Sequence, residues 1–390
     1  MELPCTNISF YVLFLGLVTC IWNPILCLEE CDFPAIFNFG DSNSDTGALS
    51  ATTLLPPPTL PFGETFFHMS TGRLSDGRVL IDFISKSFGL PFLHAYLDSL
   101  GANFSHGANF ATSGSTIQPP IQAFPVPGGY SPFYLGLQYD QLEEFKLQSQ
   151  IIRQKGGIFA SLVPKEEYFS KALYTFDIGQ NDIGVALFLR NMSIQQVKAS
   201  IPNFINDFVT NLKDVYKFGG RSFWIHNTGP IGCLTSSLVT SPSAEKDSVG
   251  CVKPFNEVAQ YFNFKLKEAI RQLRMNFSDA AFTYVDVYSV KYSLFQDPKK
   301  YGFEFPLITC CGTGGMYNFT FGLPCGRSTL ANGTQIYVGS CKNPNVRVNW
   351  DGGHYTEGAN KFIFDRISTG AFSDPPVPLR MACHKTTVPK

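Results

Sequence analysis

Charge is scarce in this sequence of 390 residues and neither sign prevails: 30 Lys and Arg stand against 31 Asp and Glu, a formal net charge of −1. No run of Lys or Arg forms a local basic patch. The cations that neutralise phosphates are therefore missing, which argues against nucleic acid as a partner. Charged residues make up 16% and apolar residues 44%, a balance too apolar for a disordered chain. An apolar run of the ~20 residues needed to cross a bilayer is also missing. The nearest candidate, Ile8–Trp22 (ISFYVLFLGLVTCIW), has 15 residues, lies at the N-terminus and is followed by Asn23-Pro24 and Glu29-Glu30. It reads as a secretory signal peptide over residues 1–28, cleaved near Cys27 or Leu28, although residues 1–7 hold Glu2 and no Lys or Arg. After cleavage no stable membrane insertion is expected. Repeats and inter-domain linkers are lacking too. The Pro/Gly-rich stretches Leu54–Phe62 and Gln118–Pro132 read as surface loops of a single domain over residues 29–390.

Two features agree with passage through the secretory route. Asn-X-Ser/Thr sequons begin at Asn103, Asn191, Asn276, Asn318 and Asn332, and a glycan at any of them requires a surface position. Of the 11 Cys, Cys5, Cys20 and Cys27 lie in or beside the leader, which leaves Cys31, Cys233, Cys251, Cys310, Cys311, Cys325, Cys341 and Cys383. An even set in an oxidising compartment reads as four disulfides. Cys233–Cys251 is the expected pair, because it closes a short polar loop between two regular elements. Zinc is the competitor for Cys310, Cys311, Cys325 and Cys341. Adjacent cysteines with no His among them lack the usual ligand spacing, so no metal or other cofactor is expected.

Short apolar strands alternate with amphipathic helices along the chain. Ala35–Phe39, Ala172–Ile178, Ser222–His226 and Phe282–Tyr288 read as strands. Asp76–Phe88, Pro202–Phe218, Phe255–Leu273 and Glu357–Ile367 carry apolar residues at helical spacing. This β–α–β rhythm predicts an α/β fold, a mostly parallel sheet between two helical layers.

Polar residues cluster where such strands end, and in an open parallel sheet those exits form the ligand crevice. Gly40-Asp41-Ser42 follows the first strand and sets a Ser where a nucleophile could start a helix. It does not match the G-x-S-x-G elbow of the α/β-hydrolases. Of the six His, His354 has an acid three residues before it, Asp351. Asp351 at that spacing can accept one ring N–H and leave the other nitrogen to take a proton from a Ser hydroxyl. Asn109–Gly114 and Gly179–Asp182 supply a backbone N–H and an Asn amide, the donor types of an oxyanion hole. Singly, each has an ordinary explanation: an N-cap serine, an exposed loop histidine, a tight turn, an Asx turn.

Taken together, FNFGDSNSDTG (Phe37–Gly47), HGANFATSG (His106–Gly114), FDIGQND (Phe176–Asp182) and VNWDGGHYTEGAN (Val348–Asn360) resemble the plant GDSL-type esterase/lipase family of the SGNH hydrolase superfamily. The segments Phe62–His68 (FGETFFH) and His226–Cys233 (HNTGPIGC), with the tail AFSDPPVPLRMACHK, resemble its early-nodulin-type branch. The resemblance implies a three-layer α/β/α fold with Ser42 as nucleophile, His354 as base and then acid, and Asp351 orienting the imidazole. The N–H groups of Ser42 and Gly114 and the Asn181 amide would hold the oxyanion. The implied activity is a secreted, extracellular or cell-wall (alternatively vacuolar) carboxylic-ester hydrolase without cofactor, acting on short-chain acyl or acetyl esters of plant metabolites or glycans. An acyltransferase using the same acyl-enzyme and a non-catalytic secreted glycoprotein are the alternatives.

Overall fold

The computed structural model describes residues 30–384 apart from positions 125, 127, 128 and 332. The signal peptide expected over residues 1–28 and the sequon at Asn332 lie outside the described residues. The unit that begins at Phe33 carries every element described below.

Five of its strands are short, apolar and buried, as a sheet covered on both faces requires. They are β1 (Ile36–Gly40), β2 (Gly107–Asn109), β3 (Leu173–Asp177), β4 (Ser222–His226) and β5 (Ala281–Val285). Between β5 and the C-terminus lie a small antiparallel hairpin, β6 (Ser328–Ala331) and β7 (Thr334–Tyr337), and a two-residue strand, β8 (Ser373–Asp374). The main sheet runs β2-β1-β3-β4-β5-β8, parallel except for the antiparallel edge β5–β8. Phe39 lies opposite Phe176 in the β1–β3 register, and their rings stack at 5.0 Å. The stack continues through Phe223 to Phe282, the last two rings 4.4 Å apart. Many of the chain's 37 Phe thus serve the core, where stacked rings bury large apolar areas.

The helices α1 (Leu80–Ser87), α2 (Leu135–Lys155), α3 (Gln180–Gly184), α4 (Ile194–Phe218), α5 (Thr235–Thr240) and α6 (Lys253–Asn276) lie in the crossovers that parallel strands need, and α7 (Val287–Gln296) and α8 (Glu357–Ile367) follow β5. Helices α2, α4 and α6 pack side by side, and α1, α7 and α8 pack together, giving the expected three layers. Phe255, Val258, Phe262, Leu266, Ile270 and Leu273 of α6 are all buried, as their spacing predicts.

Several boundaries differ from expectation for identifiable reasons. α1 starts at Leu80 rather than Asp76, because Asp82 folds back to take the Val79 N–H and so fixes the first turn there. α4 starts at Ile194 rather than Pro202: Ser193 and Gln196 form a reciprocal capping box, and Pro202 is carried inside the helix. The expected strand Phe282–Tyr288 ends at Val285, since Asp286 accepts the Ser289 N–H and caps α7 over Val287–Gln296.

Cys233 and Cys251 form a disulfide, as do Cys310–Cys341 and Cys311–Cys325. Cys31 and Cys383 are each in a disulfide as well. Disulfides therefore occupy the four sulfurs for which zinc was the competitor. Asn103, Asn191 and Asn276 are exposed, whereas Asn318 is half-buried and donates to the Thr309 carbonyl.

Candidate active site

The site begins where β1, β2 and β3 end, side by side. Gly40 closes β1 so tightly against β3 that a Cβ on it would fall 2.4 Å from the Asp177 carbonyl oxygen. The Gln138 side chain from α2 grips Gly40 on both sides, accepting its N–H at 2.9 Å and donating to its carbonyl at 2.8 Å. Asp41 N–H then donates to Asp177 O, and the Asp41 carbonyl accepts from Ser44 and Asp45. Ser42 sits on this turn, buried to 7% exposure. Asn38 and Asn109 tie β1 to β2 through a 2.7 Å side-chain bond, and Asp45 takes the N–H and hydroxyl of Ser113 at 2.7 Å. Gln138, Asn38 and Asp45 drew no functional expectation from sequence, because each acts across a fold contact that no local spacing reveals.

Asp351 and His354 meet as their spacing predicts. His354 Nδ1 lies 2.8 Å from both Asp351 oxygens. Oδ1 also accepts the backbone N–H groups of Gly353 and His354 at 3.1 and 3.0 Å. With Nδ1–H donating to Asp351, Nε2 is left as the acceptor. Ser42 and His354 line one cavity of about 530 Å³ together with Asn181, Gly353, Phe188 and Leu234. No hydrogen bond links the Ser42 hydroxyl to the His354 ring, and such contacts are often loose before substrate arrives.

Asn181, at the start of α3, donates its side-chain amide to the Ser115 carbonyl at 2.8 Å and approaches Asp41 Oδ2 at 3.4 Å. Gly114 precedes that Ser115 in the chain, holds a positive φ of 80° and accepts the Ser131 N–H. Its own N–H and that of Ser42 have no acceptor among the described residues. Gly114 is the one oxyanion candidate that the cavity wall does not include. The adjacent Asp182 steadies this loop by accepting the Ile117 and Gln118 N–H groups.

Charge is concentrated beneath the site. Burial, with the Asp177 charge second, pushes the Asp41 carboxyl up to about 7. Burial would raise Asp177 too, but the His226 hydrogen bond and the Lys291 charge hold it below the ordinary carboxylate value. Burial pulls the Lys291 ammonium down against the opposing charges of Asp177 and Asp41; it lies 4.7 Å from the Tyr355 ring centre. Burial likewise works against the His354 imidazolium, but the Asp351 charge and hydrogen bond, with Asp41 behind them, keep its pKa raised. A second Asp–His pair exists through space, Asp177–His226 at 3.1 Å. Trp224 N–H occupies the other nitrogen of that ring at 3.1 Å, so it offers no free face for proton transfer. His354 does.

This arrangement suits acyl transfer: a hydroxyl, an imidazole with one nitrogen anchored and one free, and amide donors around one cavity. The family profile described as GDSL-like lipase/acylhydrolase matches residues 36–367. An esterase of Hevea brasiliensis is 60% identical over 387 residues, covering 99% of this chain and 98% of that protein. The GDSL esterase/lipase ENOD8 of Medicago truncatula is 57% identical over 374 residues, 96% of each chain. A GDSL esterase/lipase of Arabidopsis thaliana is 51% identical over 370 residues, 94% of this chain and 96% of that one. The chain belongs to the GDSL-like lipase/acylhydrolase family.

Proposed function

We propose that this carboxylic-ester hydrolase works through Ser42, His354 and Asp351. Nε2 of His354 takes the hydroxyl proton as Ser42 Oγ attacks the ester carbonyl. The oxyanion that forms is held by the N–H groups of Ser42 and Gly114 and by the Asn181 amide. His354 passes the proton to the leaving alkoxy oxygen, and water then deacylates Ser42 by the same route reversed. Asp351 keeps the ring in one tautomer and stabilises the imidazolium between the two transfers.

The observation that carries this reading is the 2.8 Å clamp of Asp351 on His354 at a cavity that Ser42 and Asn181 also line. The substrates we propose are short acyl or acetyl esters of small metabolites or glycans, and the compartment is extracellular, the cell wall or alternatively the vacuole. The disulfides and the exposed sequons support secretion. No helix among the described residues is long and apolar enough to cross a membrane.

A serine-reactive organophosphonate tests the assignment, followed by peptide mapping. Stoichiometric label on Ser42 is expected, with loss of both label and p-nitrophenyl acetate hydrolysis in Ser42→Ala. A folded Ser42→Ala protein that still hydrolyses the ester would refute the assignment and favour a non-catalytic or different role for this turn.

A further inference from the structure

A second cavity, of about 470 Å³, adjoins the first. Phe321 belongs to the walls of both, Asp351 borders the second, and Gly353 and His354 border the first. The loop that carries the imidazole therefore divides the two spaces. Contact across it is close: a Cβ on Gly352 would fall 2.5 Å from the Phe319 ring. The second cavity is built on a firm base, since Phe62, on its wall, packs on Trp350 at 5.8 Å within a cluster that includes Cys310, Cys311 and Cys325. The proline-rich loop on one side is tied to the segment on the other by Thr59 Oγ1 to Gly326 O at 2.7 Å and Arg327 Nη2 to Pro57 O at 2.6 Å.

The chemistry of the walls narrows the occupant. Pro58, Phe62, Leu74, Phe319, Phe321 and Leu323 present apolar surface. Of the polar groups among them, Thr320 donates to the Thr313 carbonyl, Asp351 is held by His354, and Arg327 gives one N–H to the Pro57 carbonyl. Such a space rewards apolar rings against these apolar side chains, with Arg327 as the one cation among the described residues of its wall.

Mechanism decides which half of an ester lies there. Collapse of the tetrahedral intermediate requires His354 Nε2 beside the leaving oxygen, so the alkoxy group lies along the His354 loop. Phe321, on the walls of both cavities, is the surface that this position shares with the second cavity. We propose that this cavity binds the alcohol part of the substrate and selects apolar, ring-bearing alcohols, which among the substrates proposed above favours metabolite esters over glycan esters. The inference rests on the serine-triad reading. It carries a corollary. An alcohol of this kind seated there can replace water at the acyl-enzyme: its oxygen bonds to the carbonyl carbon, its proton passes to His354 and then to Ser42 Oγ, and the Ser42–acyl bond breaks.

The test compares ethyl acetate with 2-phenylethyl acetate, whose alcohols have similar acidity, in the wild-type protein and in Leu323→Glu and Pro58→Glu, on facing loops of the cavity. The wild type should favour the phenylethyl ester in kcat/KM by about tenfold or more. In whichever variant folds, that ratio should fall toward one, while the ratio of ethyl butyrate to ethyl acetate stays as in the wild type. With ethyl acetate as donor, added 2-phenylethanol should divert acetyl groups from water, and the variants should divert fewer. A wild-type ratio near one, or a phenylethyl preference unchanged in a folded variant, overturns the proposal. So does a shift confined to the acyl-length ratio, which would give the cavity to the acyl chain. Hydrolysis that survives Ser42→Ala would instead overturn the triad reading beneath it.

Discussion

His354 binds its proton more firmly than an ordinary histidine, because the neighbouring Asp351 and Asp41 charges outweigh burial and the repulsion of Lys291. Below its pKa the ring is an imidazolium and cannot accept the Ser42 proton. Activity should therefore fall as pH falls, with the midpoint of the acid limb of kcat/KM above the ordinary histidine value near 6.5. A pH–rate profile on a neutral ester reads this directly. In Asp351→Asn the anchored tautomer and the countercharge are both lost, and kcat should drop by about 10⁴-fold. Asn181→Ala should lower kcat by about a hundredfold through one missing oxyanion donor. It should also cost about 1 kcal/mol of stability, because the bond to Ser115 goes with it. Steady-state kinetics and thermal unfolding separate the two effects. The Asp351–His354 contact was legible in the sequence because three residues of chain suffice to make it. The bond of Asn181 to the Ser115 carbonyl was not, because its partner lies 66 positions away.

At the scale of elements, the turn after β1 depends on how closely β1 approaches β3. Gly40→Ala would place a methyl 2.4 Å from the Asp177 carbonyl oxygen and 2.9 Å from Ser44 Oγ. The backbone oxygen cannot swing aside, so the strand ends must part and Ser42 must move. The expected result is a loss of about 1–3 kcal/mol in unfolding free energy, together with loss of ester hydrolysis well below the melting temperature. Denaturation curves and activity on the same preparation check it. The errors of element placement share a cause. Apolar spacing over Asp76–Phe88 and Phe282–Tyr288 carried the expectations, but Asp82 and Asp286 decided where helices α1 and α7 begin. Capping is a bond between a side chain and a turn, and periodicity does not register it.

For the molecule as a whole, the cystines bear on the site. Cys310 and Cys311 donate their backbone N–H groups to Asn349 and Trp350, the residues immediately before Asp351. Replacing Cys310 and Cys341 by Ser opens a link spanning 31 positions, worth about 3 kcal/mol or somewhat more on a chain-entropy account. That variant should lose ester hydrolysis at temperatures where far-ultraviolet circular dichroism still reports an intact sheet, since the sheet itself contains none of these residues.

The fold class was written into the chain locally, in apolar strands and amphipathic helices at β–α–β spacing. So were the Asp351–His354 pair and the residue types of the other site members. What local pattern cannot carry is which strands are neighbours. The order β2-β1-β3 is what sets the exits bearing Gly114, Ser42 and Asn181 side by side, and it results from helices packing over a shared sheet rather than from any one segment. The same holds for the second cavity, whose walls come from a proline-rich loop and a cystine-bound loop more than 250 positions apart. Chemistry was readable residue by residue, whereas convergence on one place required the packed sheet, because the contacts that create it are long-range.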